Sequence, residues 1–153
     1  MGGFNYNSRS SQQCAFILVL VIFAILLVSE SNSSKNFMVP TVHVSIVNEI
    51  ADKQILTIHC KSKDDDLGEH KLEYGQDFHW KFHINLFGTT LYWCSMWWTD
   101  SNGRLIQGSF DTYKADRDWI RCGRHCKYPV RQDGVYGYWE ETQIYKLVYP
   151  WPK

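Results

Sequence analysis

The residues able to do chemistry are concentrated in three short stretches. HCKSKDDDLGEH, from His59 to His70, holds two imidazoles, one thiol, two lysines and four carboxylates. RCGRHC, from Arg121 to Cys126, places two cysteines four apart with His125 beside the second. DFHWKFH places His79 and His83 four apart. Metal coordination, acid-base catalysis and recognition by charge are the chemistries open to such groups.

Each can be weighed from spacing. A calcium loop alternates its oxygen ligands and turns on a glycine at the sixth position. Asp64, Asp65 and Asp66 are contiguous, so their carboxylates diverge. Zinc held by Cys122, Cys126 and His125 is an alternative to a disulfide, but it suits a reducing compartment. His79 and His83 would meet on a helix; on a strand they share a face about 13 Å apart, too far for one ion. His59, His70 and His125 could converge only through the fold, and no Ser-His or acid-His spacing marks a catalytic constellation. No catalytic residue, metal or cofactor is therefore expected. Lys61 and Lys63 can pair with the neighbouring acids at little gain in stability. What remains for the charged stretch is a solvated turn or a recognition loop carried on a rigid scaffold.

The scaffold begins after an N-terminal leader. A polar start with one cation, Arg9, precedes an unbroken apolar run from Cys14 to Val28, and SESNSS follows at once. That order matches a secretory signal peptide, residues 1–31, with cleavage between Ser29 and Ser34. The rival, a signal anchor, would want about 20 apolar residues. Residues 32–153 are then one domain. Loss of Arg9 and Glu30 leaves the charges balanced, which argues against nucleic acid or stable membrane insertion. Asn32 starts an N-glycosylation acceptor, Asn32-Ser33-Ser34.

Without Cys14, four cysteines remain, which in an exported chain reads as two disulfides with three possible connectivities. The favoured pairing is Cys60 with Cys94 and Cys122 with Cys126. Between the cysteines the pattern has period two. Val42, Val44 and Ile46 alternate with His43 and Ser45; Phe78, Trp80, Phe82 and Ile84 alternate with His79, Lys81 and His83. LYWCSMWW is apolar on both faces, as a central strand would be, and its adjacent Trp97 and Trp98 face opposite sides. KYPVR, the turn QDG and VYGYWEE form a hairpin, with Pro129 pointing to an edge strand or a bulge. Tyr136, Tyr138 and Trp139 could be core or an exposed aromatic patch. KADRDW reads as a polar bridge, and QIYKLVY as one further possible strand. The expectation is an all-β antiparallel sandwich of about seven or eight short strands, stapled by two disulfides and without a helix.

The order VHVSIVNEI, LTIHCKSKDDDLGEHKL, YGQDFHWKFHINLFGTTLYWC, FDTY, the cysteine pair and VRQDGVYGYW resembles the plant self-incompatibility S-protein homologues. The resemblance spans about residues 40 to 140. Many members of that family have Trp shortly after the last cysteine, where this chain has Tyr128, and the tail TQIYKLVYPWPK lies outside the pattern. The resemblance implies a small secreted plant protein with a disulfide-stapled β-sandwich, acting as a ligand. The family's founding members are pistil proteins recognised by a partner on the pollen surface. The signature blocks of the pistil ribonucleases are absent.

The combined expectation is a monomeric secreted ligand for a cell-surface receptor, in self-incompatibility-like, reproductive or other cell-cell signalling. The alternative is a secreted defence protein acting on membranes or glycans, although a strongly basic amphipathic element is missing. The expected contact residues are Lys63, Asp64, Asp65, Asp66 and Glu69, followed by Asn102 and Arg104 of the turn SNGR.

Overall fold

The computed structural model describes residues 16–23 and 40–153. Residues 16–23, within the apolar run from Cys14 to Val28, are helical. The cleavage zone and Asn32 lie outside the described residues. Among those described, no helix is long and apolar enough to cross a membrane.

The domain is a two-sheet β-sandwich of nine strands: β1 Thr41–Asn48, β2 Leu56–Ser62, β3 Asp66–Leu72, β4 Asp77–His83, β5 Leu91–Thr99, β6 Leu105–Lys114, β7 His125–Arg131, β8 Gly134–Trp139 and β9 Ile144–Pro150. One sheet runs β4-β1-β7-β8-β9 and the other β3-β2-β5-β6. Val42, Val44 and Ile46 of β1 meet Leu56 and Ile58 of β2 and Tyr92, Met96 and Trp98 of β5 in a continuous apolar core. The period-two pattern determines this, because alternate residues of a strand point to opposite faces.

Four features depart from the sequence reading. Nine strands form, because DLGEHKL pairs with β2 as an unexpected edge strand, β3, while QIYKLVY forms the further strand its sequence allowed, β9, paired with β8. The sandwich is not wholly antiparallel: β1 and β7 run parallel, with His43 opposite His125 and Val47 opposite Pro129. Pro129 therefore lies in an interior strand; the β7–β8 ladder starts only at Val130, so the missing amide hydrogen breaks no bond to β8. The bridge KADRDW, from Ala115 onward, is the greater part of a short helix, Ala115–Arg121.

That helix is held by Asp118, which is fully buried. Its carboxylate accepts from the Lys114 amide at 2.7 Å and from the guanidinium groups of Arg117 and Arg121, each at 2.8 Å. Arg121 also donates to the Tyr128 hydroxyl, which donates to the Thr112 carbonyl. A seven-residue helix is too short to be stable alone; here a buried charge network ties it to β6 and β7.

Candidate recognition surface

The disulfide Cys60–Cys94 spans two directly opposed residues of β2 and β5, with Cα atoms 4.0 Å apart. It lies two residues below the β2–β3 hairpin tip. At the tip, the Ser62 hydroxyl accepts from the amides of Asp64 and Asp65 at 3.2 and 2.9 Å. The Ser62 amide donates to the Asp65 carbonyl at 2.8 Å. The Tyr92 hydroxyl reaches across from β5 and donates to the Asp65 carboxylate at 2.8 Å. Burial and then this carboxylate push the Tyr92 phenol up to about 12, so it stays a donor at any physiological pH.

Asp66 has a structural role. It accepts from His59 at 2.5 Å, from Lys61 at 2.9 Å and from the Gly68 amide at 3.0 Å. The His59 bond first, then Lys61 and the Gly68 amide, hold its carboxyl well below the usual carboxylate range. Gly68 has φ +79°, in the region glycine occupies without strain, at the register shift where β3 carries one extra residue and bulges against β2. Of the charged residues singled out in this stretch, Asp65 and Asp66 are thus engaged in shaping the tip. Lys63 and Asp64 project from it, and Glu69 is exposed on β3.

The SNGR turn lies elsewhere. Asp100 Oδ1 accepts from the Asn102 and Arg104 amides, each at 2.9 Å, and Arg104 Nε lies 3.4 Å from the same carboxylate. The Arg104 amide, with the Asn102 amide helping, lowers the Asp100 pKa. Since Ser62 pairs with Tyr92 near the start of β5 and the turn follows its end at Thr99, the length of β5 separates the two sets, roughly 26 Å. Asn102 and Arg104 cannot share a small contact patch with Lys63 and Asp64.

What does share the tip's end of the sandwich escaped the sequence reading. The loop between β4 and β5 presents Leu86 at 78% and Phe87 at 89% exposure. It is braced from within by Asn85, whose side chain bonds Thr89 in both directions at 2.8 Å. The Ala115 amide donates to the Thr90 carbonyl, bringing the start of the short helix to the same end, and this helix exposes Ile120 at 85%. Two consecutive apolar residues in LFGTT look like core in a sequence; only the turn Asn85–Gly88 sends them outward. The disulfide Cys122–Cys126, Cα atoms 5.0 Å apart, closes the corner between the helix and β7.

The histidines do not converge as an acid-base or metal set. His59 pairs with Asp66, His70 stacks on Phe78 with ring centres 3.8 Å apart, and His125 belongs to the other sheet. Among the described residues no three His, Cys, Asp or Glu side chains are grouped to hold a metal ion. Tyr136, Tyr138 and Trp139 are half-buried: Arg131 covers the Tyr136 ring, Tyr138 contacts Tyr145, and Arg121 and Lys146 approach Trp139.

The nine-strand sandwich with two disulfides and a stapled charged hairpin defines a class of small β-scaffold that carries loops. Residues 43–151 match the family described as plant self-incompatibility protein S1, and the chain belongs to that family. S-protein homolog 24 of Arabidopsis thaliana is 37% identical to it, over 94% of each chain. Self-incompatibility protein S1 of Papaver rhoeas is 30% identical, over 83% of this chain and 89% of its own. A solved structure of an SPH (self-incompatibility protein homologue), from a family described as small, highly stable, secreted plant proteins, aligns with a TM-score of 0.57. It is 20% identical and covers 76% of this chain and 98% of that one. That likeness concerns the fold.

Proposed function

We propose that the protein is a secreted ligand that acts by occupying a cell-surface receptor. In this reading residues 1–31 are removed as a signal peptide and residues 32–153 act as a monomer, without turnover. The observation that carries it is the construction of the β2–β3 tip. Ser62, Asp65, Tyr92 and the Cys60–Cys94 bridge all hold the backbone there, while Lys63 and Asp64 stay free to meet a partner. Such preorganisation lowers the ordering cost of binding, and charge complementarity supplies specificity and encounter rate. Leu86 and Phe87 at the same end supply the apolar anchor that a purely charged contact lacks, since binding energy concentrates on a few buried, often aromatic residues. Family membership supports this role, with a self-incompatibility protein of Papaver rhoeas among the relatives.

The test is saturable binding of the labelled, processed protein to plant cell surfaces, with Lys63→Ala/Asp64→Asn and Phe87→Ser variants beside it. Saturable binding weakened by both variants supports the reading. Leu86 and Phe87 are also the residues a membrane-acting protein would insert, so protein-free anionic liposomes form the control. Binding there equal to that on cells favours the membrane alternative.

A further inference from the structure

The outer face of the sheet containing β1 carries four of the chain's six histidines in adjacent register rows. With Val42, Val44 and Ile46 buried, β1 turns Thr41, His43 and Ser45 outward. On one side β4 turns Asp77, His79, Lys81 and His83 outward; on the other, β7 exposes His125 and Lys127. The register aligns them. Lys81, His43 and His125 form one row across the three strands, His79, Ser45 and Lys127 the next, and His83 lies opposite Thr41. The His43 and His125 rings stack, with centres 5.1 Å apart and planes within 13°.

The polar contacts on this face include three involving its rows. His79 lies 3.2 Å from Asp77, the Ser45 hydroxyl donates to the same carboxylate at 3.4 Å, and His83 lies 3.4 Å from the Thr41 hydroxyl. At the Asp77 end of the face, Glu49 is paired with Arg131 at 3.1 Å. Within the rows, Asp77 is the only acid against Lys81 and Lys127. The face therefore carries one net positive charge with its imidazoles neutral and five with all four protonated. Imidazole is the side chain whose ordinary titration falls between about pH 5 and 8.

We propose that this face binds an acidic polysaccharide, a chain of carboxylate-bearing sugars, and does so more tightly as the pH falls. Neighbouring strands set charges about 4.8 Å apart along a row, a flat ladder suited to an extended polyanion. Thr41 and Ser45 add hydroxyls for sugar hydrogen bonds, and the exposed imidazole rings offer flat faces for sugar rings. No large aliphatic side chain projects from these rows to enter a bilayer, which separates this surface from a lipid-binding one. It is also separate from the hairpin tip, belonging to the opposite sheet; the inference rests on the reading that the protein is exported, where such polymers occur.

The experiment measures binding of the processed protein to immobilised polygalacturonate at pH 5.5 and 7.5 at equal ionic strength. Carboxylates stay ionised at both values. The expected result is binding tighter by about tenfold or more at pH 5.5, weakened by added salt. The variant His43→Asn/His79→Asn/His83→Asn/His125→Asn loses the pH dependence, and Lys81→Gln/Lys127→Gln weakens binding at both pH values. His79→Asn alone, at a site 78% exposed, gives a partial loss in a variant that retains its fold. Lys63→Ala/Asp64→Asn leaves this binding unchanged, which distinguishes failure here from failure of the receptor reading. Binding independent of pH, equal retention by the histidine variants, or tighter binding to phosphatidylglycerol vesicles than to the polysaccharide would overturn the proposal.

Discussion

The hydroxyl of Tyr92 donates a 2.8 Å hydrogen bond to the carboxylate of Asp65, linking the start of one strand to the tip of the neighbouring hairpin. The two are 27 residues apart in sequence, so the bond holds only in the folded state. Tyr92→Phe keeps the ring packed against Trp80 and Phe82 and removes only the bond. The expected cost is about 1 kcal/mol in chemical denaturation. The larger effect is local: the amides of Asp64 and Asp65 should exchange faster while those of β5 keep their protection. Uniform loss of protection would mean the tip is not separately fastened.

Asp118, itself shielded from water, holds a backbone amide and two guanidinium groups, of which that of Arg121 is nearly enclosed and that of Arg117 half-exposed. Asp118→Ala leaves Arg121, itself almost fully enclosed, without its counter-charge. The expected loss is on the order of 3–5 kcal/mol by urea unfolding, as for other broken buried pairs. A loss below about 1 kcal/mol would show that the helix is held by packing instead.

Much of the architecture is legible in the residues, and its failures have physical causes. Strands β1 and β4 announce themselves because one face of each is buried, so apolar residues recur with period two, and the central β5 by a run apolar on both faces. Edge strand β3 is half solvated and carries Gly68, so DLGEHKL offers no such pattern. The helix Ala115–Arg121 is under two turns long, and its anchor, Asp118, is indistinguishable in sequence from a surface acid. The parallel pairing of β1 with β7 joins segments about 80 residues apart, and nothing local encodes it. For the same reason the sequence does not show how far the second set of expected contact residues, Asn102 and Arg104, lies from Lys63 and Asp64, which is the length of β5. His79 and His83 do share the outer face of β4, as their spacing implies, but that His43 and His125 lie on the same side of the sheet is set by pairing between distant strands.

Asp66 makes a pH prediction with a definite sign. Its carboxyl sits below the usual range in the folded protein, so folding favours the ionised form. The stabilisation is complete above the ordinary carboxylate pKa, about 3.9, and is lost as pH falls through the lower folded value. The Asp66 carboxyl resonance should therefore titrate below the ordinary carboxylate range. Titration of that signal near pH 4 would contradict the His59–Lys61–Gly68 arrangement as the cause.

The two disulfides should differ in weight. Chain-entropy reasoning gives about 4 kcal/mol for the Cys60–Cys94 loop and about 2 kcal/mol for Cys122–Cys126. Double serine variants of each pair, compared by thermal unfolding, should rank in that order. The reverse order would mean the Cys122–Cys126 corner supports more of the fold than its short loop implies.

The most direct test of the account is the affinity of the labelled protein for plant cell surfaces, measured for the native chain and for Lys63→Ala/Asp64→Asn. Both substitutions lie at exposed positions outside the core, so the fold should persist, as circular dichroism will verify. The account predicts saturable binding by the native protein and a loss of about tenfold or more in the variant. Equal, saturable binding by both would contradict it and move the receptor contact away from the hairpin tip.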